Sequence, residues 1–247
     1  EGINRLCYAG PVIFTRSESV LSSRSPIQIG VELFGEPGLD ADIEVISLLL
    51  DALQEAELAE MCIGLGHVGL YRAIAEAAEL NEEQENKLFN LLQAKALTEL
   101  NLWIAENIQD KDISRWILAL PRLTGSKTVL VKARELFEDG PSEVLAALDE
   151  LELVSAVLKQ RYPESKFYFD LSELRGYHYH TGLVFEAYAQ GVGQAIARGG
   201  RYDHIGEAFG RSRPATGFTA DLVALKRVAR PECKIKRGIF VAASAQL

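Results

Sequence analysis

The side chains best suited to chemistry are concentrated in residues 174–188, which read Leu-Arg-Gly-Tyr-His-Tyr-His-Thr-Gly-Leu-Val-Phe-Glu-Ala-Tyr. Their spacing is typical of a β-strand, in which alternate side chains share a face, so the segment predicts a dense polar face. Small-ligand pockets combine a largely apolar lining with a few positioned polar groups. The segment therefore predicts a binding site for a small polar ligand, and it leaves open whether a reaction occurs there.

A metal site is the other use that this segment could have, because His178 and His180 would share one face of a strand. The next candidate ligand of the same parity is Glu186, which would lie roughly 20 Å further along a regular strand. A protein metal site needs at least three converging ligands. The sequence therefore predicts neither a metal nor any other cofactor.

The composition limits the class of protein. With 48% hydrophobic residues among 247, the chain can bury a full core. A formal net charge of −9 disfavours a surface that neutralises nucleic-acid phosphates. The sequence has neither an apolar run of membrane-spanning length nor a signal-peptide pattern, so it predicts a cytoplasmic protein without a membrane or nucleic-acid partner. The three cysteines lack CxxC spacing and are interpreted as reduced core residues: Cys7, Cys62 and Cys233.

The elements that would position these side chains begin with a hairpin. Arg5–Phe14 and Pro26–Phe34 read as two strands joined by a long polar loop. Asp40 or Asp42 is placed to cap the helix that follows, and Met61–Leu65 reads as a short buried strand.

A long helical stretch comes next, from His67 to about Gln160, with His67 interpreted as a capping or packing residue. Turn residues interrupt the helical periodicity at Asn81 and at 110–112, 123–126 and 139–141. Strands are then predicted at Lys166–Asp170, Tyr177–Ala189, Gly193–Ala197 and Ala215–Ala220, before a last helix to about Val228. This order predicts an α+β domain in two parts, residues 1–66 and 163–230, with a helical insertion at 67–162 and the start of a further segment at 231–247.

Four motifs resemble those of histidyl-tRNA synthetase, and they occur in the same order. They are Gln28-Ile-Gly-Val-Glu32 before Phe34-Gly35, Arg175-Gly-x-x-Tyr-x-Thr-Gly-x-Val-Phe-Glu186, Gly199-Gly-Arg-Tyr-Asp203, and Pro214-Ala-x-Gly-Phe218. The resemblance implies a class II aminoacyl-tRNA synthetase fold, in which an antiparallel sheet with flanking helices holds an amino-acid pocket beside an ATP pocket. It also implies that the helical stretch is the family's insertion domain, and that the family's usual dimerisation segment precedes position 1.

The positions that bind ATP in that family are changed. Phe14 stands where the first phosphate-binding arginine is expected, and Arg16 stands at the glutamate position. In the last motif Asp221, Val223 and Ala224 replace glycine, glutamate and the second arginine. Amino-acid activation needs donors that stabilise an anionic transition state, and each lost arginine costs a few kcal/mol. The resemblance therefore implies a protein that does not activate amino acids.

The positions that bind the amino acid are partly kept. Gln28 and Glu32 are four residues apart on one strand and share a face, where the resemblance implies that they hold an amino group. By the same resemblance Arg175 would reach a ligand carboxylate and Tyr179 an imidazole, while His180 replaces a second tyrosine. Alternatively, the polar residues form a buried network that is kept for fold specificity.

The Tyr-His-Tyr-His-Thr-Gly segment at 177–182 resembles a paralogous family, the regulatory subunits of ATP phosphoribosyltransferase. That resemblance implies a non-catalytic subunit that associates with itself and with the short catalytic subunit in a hetero-octamer. It would activate the first step of L-histidine biosynthesis and help to mediate feedback inhibition by histidine. A fragment of an active histidyl-tRNA synthetase and a free-standing amino-acid-binding protein are the alternatives.

Overall fold

The structure is a computed structural model that describes residues 2–15, 24–58 and 60–229. Within these residues eight strands form one sheet in the order β1-β2-β8-β7-β6-β3-β5-β4. All neighbouring strands are antiparallel except β3 and β5, which are parallel. The strands are β1 (Asn4–Pro11), β2 (Ile27–Phe34), β3 (Met61–His67), β4 (Thr124–Gly125), β5 (Lys166–Asp170), β6 (Leu183–Ala189), β7 (Ala197–Arg201) and β8 (Ala215–Asp221).

Eight α-helices flank this sheet within the described residues. They are α1 (Leu39–Glu55), α2 (Val68–Ala77), α3 (Glu82–Gln93), α4 (Leu97–Asn107), α5 (Lys111–Ala119), α6 (Thr128–Leu136), α7 (Ser142–Arg161) and α8 (Leu222–Val228). The α+β fold predicted from the sequence is confirmed, as an eight-stranded mixed sheet with flanking helices. The stretch predicted as helical contains α2 to α7, joined by short turns, together with the two residues of β4 and a short 3-10 turn; its first residue, His67, ends β3.

Local sequence signals explain several of the helix starts. The Asn81 side chain accepts the amide of Gln84, whose own side chain accepts the amide of Asn81, so α3 begins with a complete capping box. Asp110 caps α5 with its side chain alone, which accepts the amides of Asp112 and Ile113. His67 caps α2, because its Nδ1 accepts the amide of Gly69 at 3.1 Å. The predicted capping role of His67 is therefore confirmed.

The predicted strand at Tyr177–Ala189 is wrong in its first half, because residues 174–182 form turns and β6 begins only at Leu183. Gly176 has a φ of +68°, in the left-handed region that glycine adopts at little cost. Its carbonyl accepts the amides of both Tyr179 and His180 at 2.7 Å, which closes a tight turn. The strand predicted at Gly193–Ala197 is also misplaced, because β7 starts at Ala197, where pairing with β6 begins.

Asp42 does not cap α1, and neither does Asp40. The N-cap position is Gly38, with no side-chain hydrogen bond. Asp42 is fully buried and bonds to the Arg201 guanidinium at 2.8 Å, because a buried carboxylate needs a charged partner more than a helix end needs a cap. The interpretation of the cysteines as core residues is also wrong where it can be checked: Cys7 is exposed and Cys62 only partly buried, whereas Cys233 lies outside the described residues.

The two faces of the sheet have different roles. One face buries apolar side chains such as Leu33, Ile63 and Phe185 in a core shared with the helices. Helices α1, α2 and α7 contact the strands directly, so the helical stretch and the sheet contribute to one cluster of buried residues. The division of the chain at 66, 162 and 230 stays a prediction, and residues 230–247 lie outside the described ranges. The opposite face is left for a site.

Candidate functional site

The open face of the sheet combines glycines with polar side chains. Alternate residues of a strand share a face, and the observed pairing register extends this face from β2 to β6. Its members are Gln28, Gly30 and Glu32 of β2, Gly217 and Thr219 of β8, Arg198 and Gly200 of β7, and Val184 and Glu186 of β6. A Cβ atom at Gly217 would overlap the Glu32 carboxylate, and one at Gly200 would lie 2.8 Å from His180 Nδ1. The glycines therefore make room for the polar groups above them.

Glu32 is the centre of a first cluster on this face. The Tyr202 hydroxyl donates to Glu32 Oε2, and the Tyr202 ring stacks on Tyr179 with centroids 4.8 Å apart. Burial raises the pKa of the Glu32 carboxyl to about 7. Burial, followed by the charge of Glu32, raises the pKa of Tyr179 to about 12. The cluster thus offers a partly desolvated acid that a cationic ligand group would favour in its ionised form.

His180 completes the first cluster from the turn at 174–182. Its Nδ1 lies 3.2 Å from the carbonyl oxygen of Arg201, and because a carbonyl only accepts, Nδ1 carries the proton. Burial lowers the pKa of the His180 imidazole, which favours the neutral ring. A neutral ring protonated on Nδ1 has an Nε2 that can accept a hydrogen bond.

Arg175 belongs to a second cluster, which is built around Glu186. Arg175 Nη1 lies 2.8 Å and Arg198 Nε 2.9 Å from the same oxygen, Glu186 Oε1, and the Tyr188 hydroxyl donates to the other oxygen. The Glu186 side chain is only 9% exposed, whereas that of Arg175 is 52% exposed. Glu173 lies 4.0 Å from Arg175 Nε. The two carboxylates therefore orient a half-exposed guanidinium that can still donate to an anion such as a carboxylate.

A cavity of about 410 Å³ adjoins this second cluster, between Arg175, Glu173, Tyr188 and Lys95. Neither Gln28 nor Glu32 lines it. Strands β2 and β6 are three strand spacings apart, about 14 Å. The structure thus places the predicted residues Gln28, Glu32, Arg175, Tyr179 and His180 at one face of the sheet. Glu32, Tyr179 and His180 belong to the first cluster and Arg175 to the second, whereas Gln28 lies on β2 four residues before Glu32.

Three further residues of the site lie in or next to the sequence motifs, although the motifs do not mark them as binding residues. Tyr202 lies in Gly-Gly-Arg-Tyr-Asp, Glu186 ends Val-Phe-Glu, and Tyr188 follows two residues later. Arg198 has no motif signal, because only the pairing of Glu186 with Arg198 across β6 and β7 brings it to the site.

The positions aligned with the ATP half of the family site have structural roles here. Asp221 accepts the amides of Val223 and Ala224 at 2.8 and 3.3 Å and so caps α8. Ala224 is buried, and the Phe14 amide donates to the Arg24 carbonyl at 2.8 Å, which continues the hairpin pairing. Arg16 lies outside the described residues.

The two histidines of the turn do not converge on one point. His178 contacts the Phe89 ring at a centroid distance of 5.5 Å, whereas His180 bonds to β7. Over the ranges that the structure describes, no group of three or more His, Cys, Asp or Glu side chains could hold a metal. Over the same ranges, no helix is both long and apolar enough to cross a membrane.

The mixed sheet, its flanking helices and the polar face floored by glycines define a class II aminoacyl-tRNA synthetase-like protein. The family model for histidyl-tRNA synthetase matches residues 1–225, and the chain belongs to this family. The ATP phosphoribosyltransferase regulatory subunit of Saccharophagus degradans is 59% identical over 242 residues, which cover 98% of this chain and 61% of that protein. The chain thus spans about three fifths of the length of the curated relatives it matches.

Solved structures agree with this assignment of the fold. A Bacillus halodurans protein described as an ATP phosphoribosyltransferase regulatory subunit/histidyl-tRNA synthetase has a TM-score of 0.80 and 31% identity, covering 92% of this chain and 58% of that one. The ATP phosphoribosyl transferase (HisG:HisZ) complex of Thermotoga maritima has a TM-score of 0.71 and 22% identity, covering 90% of this chain and 74% of that one.

Proposed function

We propose that the protein is a non-catalytic regulatory subunit of ATP phosphoribosyltransferase, which binds the short catalytic subunit, activates it and helps to mediate feedback inhibition by L-histidine. The 59% identity to a regulatory subunit of that enzyme supports the partner and the pathway step. In this proposal the phosphoribosyl chemistry belongs to the catalytic subunit. The protein contributes a ligand site and an interface, and it associates with further copies of itself.

One observation supports the ligand class most directly: an acid and an arginine face the same open side of the sheet. Glu32 can accept from an ammonium group, and Arg175 can donate to a carboxylate. Glu32 of β2 contacts Tyr202, which follows β7, and Arg175 contacts Glu186 of β6, so both side chains lie over the face between two strands that are about 14 Å apart. An amino acid carries its ammonium group and its carboxylate on one carbon atom, so we propose that it binds where the Glu32 and Arg175 side chains approach each other.

The second part of the proposal is that the ATP half of the site is degenerate. Phe14 and Ala224 have no N–H donors in their side chains, and Ala224 is buried beside the capped start of α8. Stabilising the charge that develops on a phosphate requires donors aimed at its oxygens. With apolar groups at both positions, a bound amino acid would stay unreacted, and its binding can serve as a signal.

Feedback through such a site is a linkage between two equilibria. Histidine can change the activity of the partner only if its affinity differs between two states of the complex. The coupling free energy in such systems is typically about 1–3 kcal/mol. This coupling is reciprocal: the factor by which histidine changes the affinity for the catalytic subunit is also the factor by which the catalytic subunit changes the affinity for histidine.

Calorimetric titration with histidine tests this proposal, using the full-length protein alone and with the catalytic subunit. We expect Arg175→Ala to weaken binding at least tenfold, roughly the value of a hydrogen bond to a charged group. Arg175→Lys should weaken histidine binding less than Arg175→Ala does, because lysine keeps the positive charge. Arg115→Ala is the matched control, because Arg115 lies on α5 and pairs with the exposed Asp112.

Two results would contradict the proposal. Equal affinities of the Arg175→Ala and Arg115→Ala variants would move the histidine site away from this face. Histidine-dependent exchange of pyrophosphate into ATP by the full-length protein would show that the ATP half of the site still works. The rate of the catalytic subunit, measured with and without this protein, tests the activating role separately.

A further inference from the structure

The turn at residues 174–182, here called the pocket loop, is attached to the helices at its middle. Arg175 and Tyr179 are exposed, but Tyr177 between them is buried, with only 7% of its surface accessible. A buried residue between two exposed ligand-facing residues acts as an anchor for both.

Helix α3 holds Tyr177 through one carboxylate. The Tyr177 hydroxyl donates to Glu85 Oε1 at 2.6 Å, a hydrogen bond strengthened by the charge of the acceptor. Tyr71 of α2 donates to the backbone carbonyl of the same Glu85 at 3.0 Å. The Tyr177 ring also packs edge-on against Tyr71 at 4.9 Å and lies 5.7 Å from Phe89 of α3.

Helix α2 holds the end of the pocket loop through Arg72. Its Nη2 donates to the His180 carbonyl at 3.1 Å, and its guanidinium lies over the Tyr177 ring, 5.2 Å from the centroid. Inside the loop the Tyr177 amide donates to the Leu174 carbonyl at 2.9 Å. The pocket loop is therefore a compact turn fastened to α2 and α3 at several points.

We propose that Tyr177 is a positioning residue for the ligand site, which fixes the pocket loop to Glu85 so that a displacement of α3 moves Arg175 and His180. This proposal rests on the proposed histidine site, whose residues lie on both sides of Tyr177. Helix α3 is suited to receive such a displacement, because its other face is open to solvent at Glu83, Asn86 and Lys87. The helical stretch would then set the affinity of the site without contacting the ligand.

The decisive variant is Tyr177→Phe, which removes the hydroxyl and keeps the ring. Tyr162→Phe is its matched control, because the Tyr162 hydroxyl donates to Asp51 at 2.8 Å and to the Ser47 carbonyl, both on α1. Three quantities are measured on the full-length proteins: the histidine dissociation constant, the melting temperature, and amide hydrogen exchange in residues 174–182.

We expect Tyr177→Phe to weaken histidine binding about fivefold and to accelerate exchange at the pocket-loop amides, because one hydrogen bond holding the loop is lost. Tyr162→Phe should lower the melting temperature by a comparable amount without either effect. Glu85→Gln keeps an acceptor for the Tyr177 hydroxyl and should retain most of the affinity. Glu85→Ala should match Tyr177→Phe, and the double variant should add little to either.

Unchanged affinity and unchanged loop exchange in Tyr177→Phe would overturn the positioning role. So would equal losses of affinity in Tyr177→Phe and Tyr162→Phe, because they would indicate a general loss of stability. If Tyr177→Phe does not fold, Glu85→Gln and Glu85→Ala decide the same question. A wild-type protein that binds no histidine would refute the proposed function, and the exchange data would still decide whether Glu85 holds the pocket loop.

Discussion

Glu32 gives the site a dependence on pH that can be measured as protein stability. Its carboxyl is partly buried on the open face, and burial raises its pKa to about 7. An acid whose pKa is raised in the folded protein stabilises the fold while it is protonated. This contribution is lost as the pH rises from the pKa of the unfolded state through the pKa of the folded state. Glu32→Gln replaces the acid by a group that does not titrate and whose oxygen can still accept from the Tyr202 hydroxyl.

The magnitude follows from the two pKa values. Burial raises the pKa of Glu32 from the ordinary 4.5 to about 7, and each pKa unit corresponds to about 1.36 kcal/mol. Ionising Glu32 in the folded protein therefore costs at most about 3.4 kcal/mol more than in the unfolded chain. Solvent screens a partly buried carboxyl, so we expect about 2 kcal/mol between about pH 5 and pH 8. Over this range the wild type should become less stable relative to Glu32→Gln by that amount.

Urea unfolding of both proteins at several pH values provides the test. Comparing the variant with the wild type at each pH cancels the titration of all other groups that the substitution leaves unchanged. Glu99→Gln on α4 is the control, because Glu99 is exposed and lies outside the site. If the stability difference between Glu32→Gln and the wild type were the same at both ends of the pH range, Glu32 would not be the desolvated acid described here. A histidine ammonium bound at Glu32 would favour its ionised form, so binding near pH 6.5 should release protons in the wild type.

Three further substitutions test the frame of the site, each followed by urea unfolding. Gly176→Ala forces a side chain into the left-handed region and toward His180, so we expect a loss of about 1 kcal/mol and weaker histidine binding; an undisturbed affinity would contradict this role for the turn. Asn81→Ala removes the cap of α3 and should cost about 1 kcal/mol, and a neutral result would show that the capping box contributes nothing. Arg201→Met leaves the Asp42 carboxylate buried without its partner and should lower the free energy of unfolding by about 3–5 kcal/mol. If the unpaired charge causes this loss, the double variant Asp42→Asn/Arg201→Met should lose far less, and an equal loss would contradict this cause.

The features that the sequence predicts best are those decided by neighbouring residues. The break between helices at Asn81, the cap at His67 and the hairpin before α1 each depend on groups within a few positions or on one turn. The spacing of residues 177–182 wrongly predicts a strand, because the left-handed Gly176 closes a turn there. That turn is held by Glu85, which lies 92 positions away from Tyr177. Contacts at such separations leave no periodic signal in the chain.

The site shows the same division. The family resemblance points to Glu32, Arg175 and His180, and these residues lie at one face of the sheet. Their partners depend on register instead: Arg198 meets Glu186 only because β6 and β7 pair as they do. Similarly, the position of Asp42 near a helix start predicts a cap. The sequence does not reveal its actual partner, Arg201, because Arg201 is 159 positions away. Sequence patterns therefore specify which groups are present, whereas strand pairing decides which of them touch.

Under the proposed function, binding can outlast catalysis because the two depend on different parts of the fold. The ligand groups lie on the central strands and the pocket loop, where the pairing of β2, β8, β7 and β6 fixes their positions. The positions aligned with the family's ATP site lie at the loop end of the first hairpin and at the start of α8, and apolar residues there leave that register intact. Arg175 in addition is already oriented by Glu186 before any ligand arrives, which lowers the entropy lost on binding. A synthetase-like sheet can therefore lose its phosphate donors and still hold an amino acid, which is the property that a histidine sensor requires.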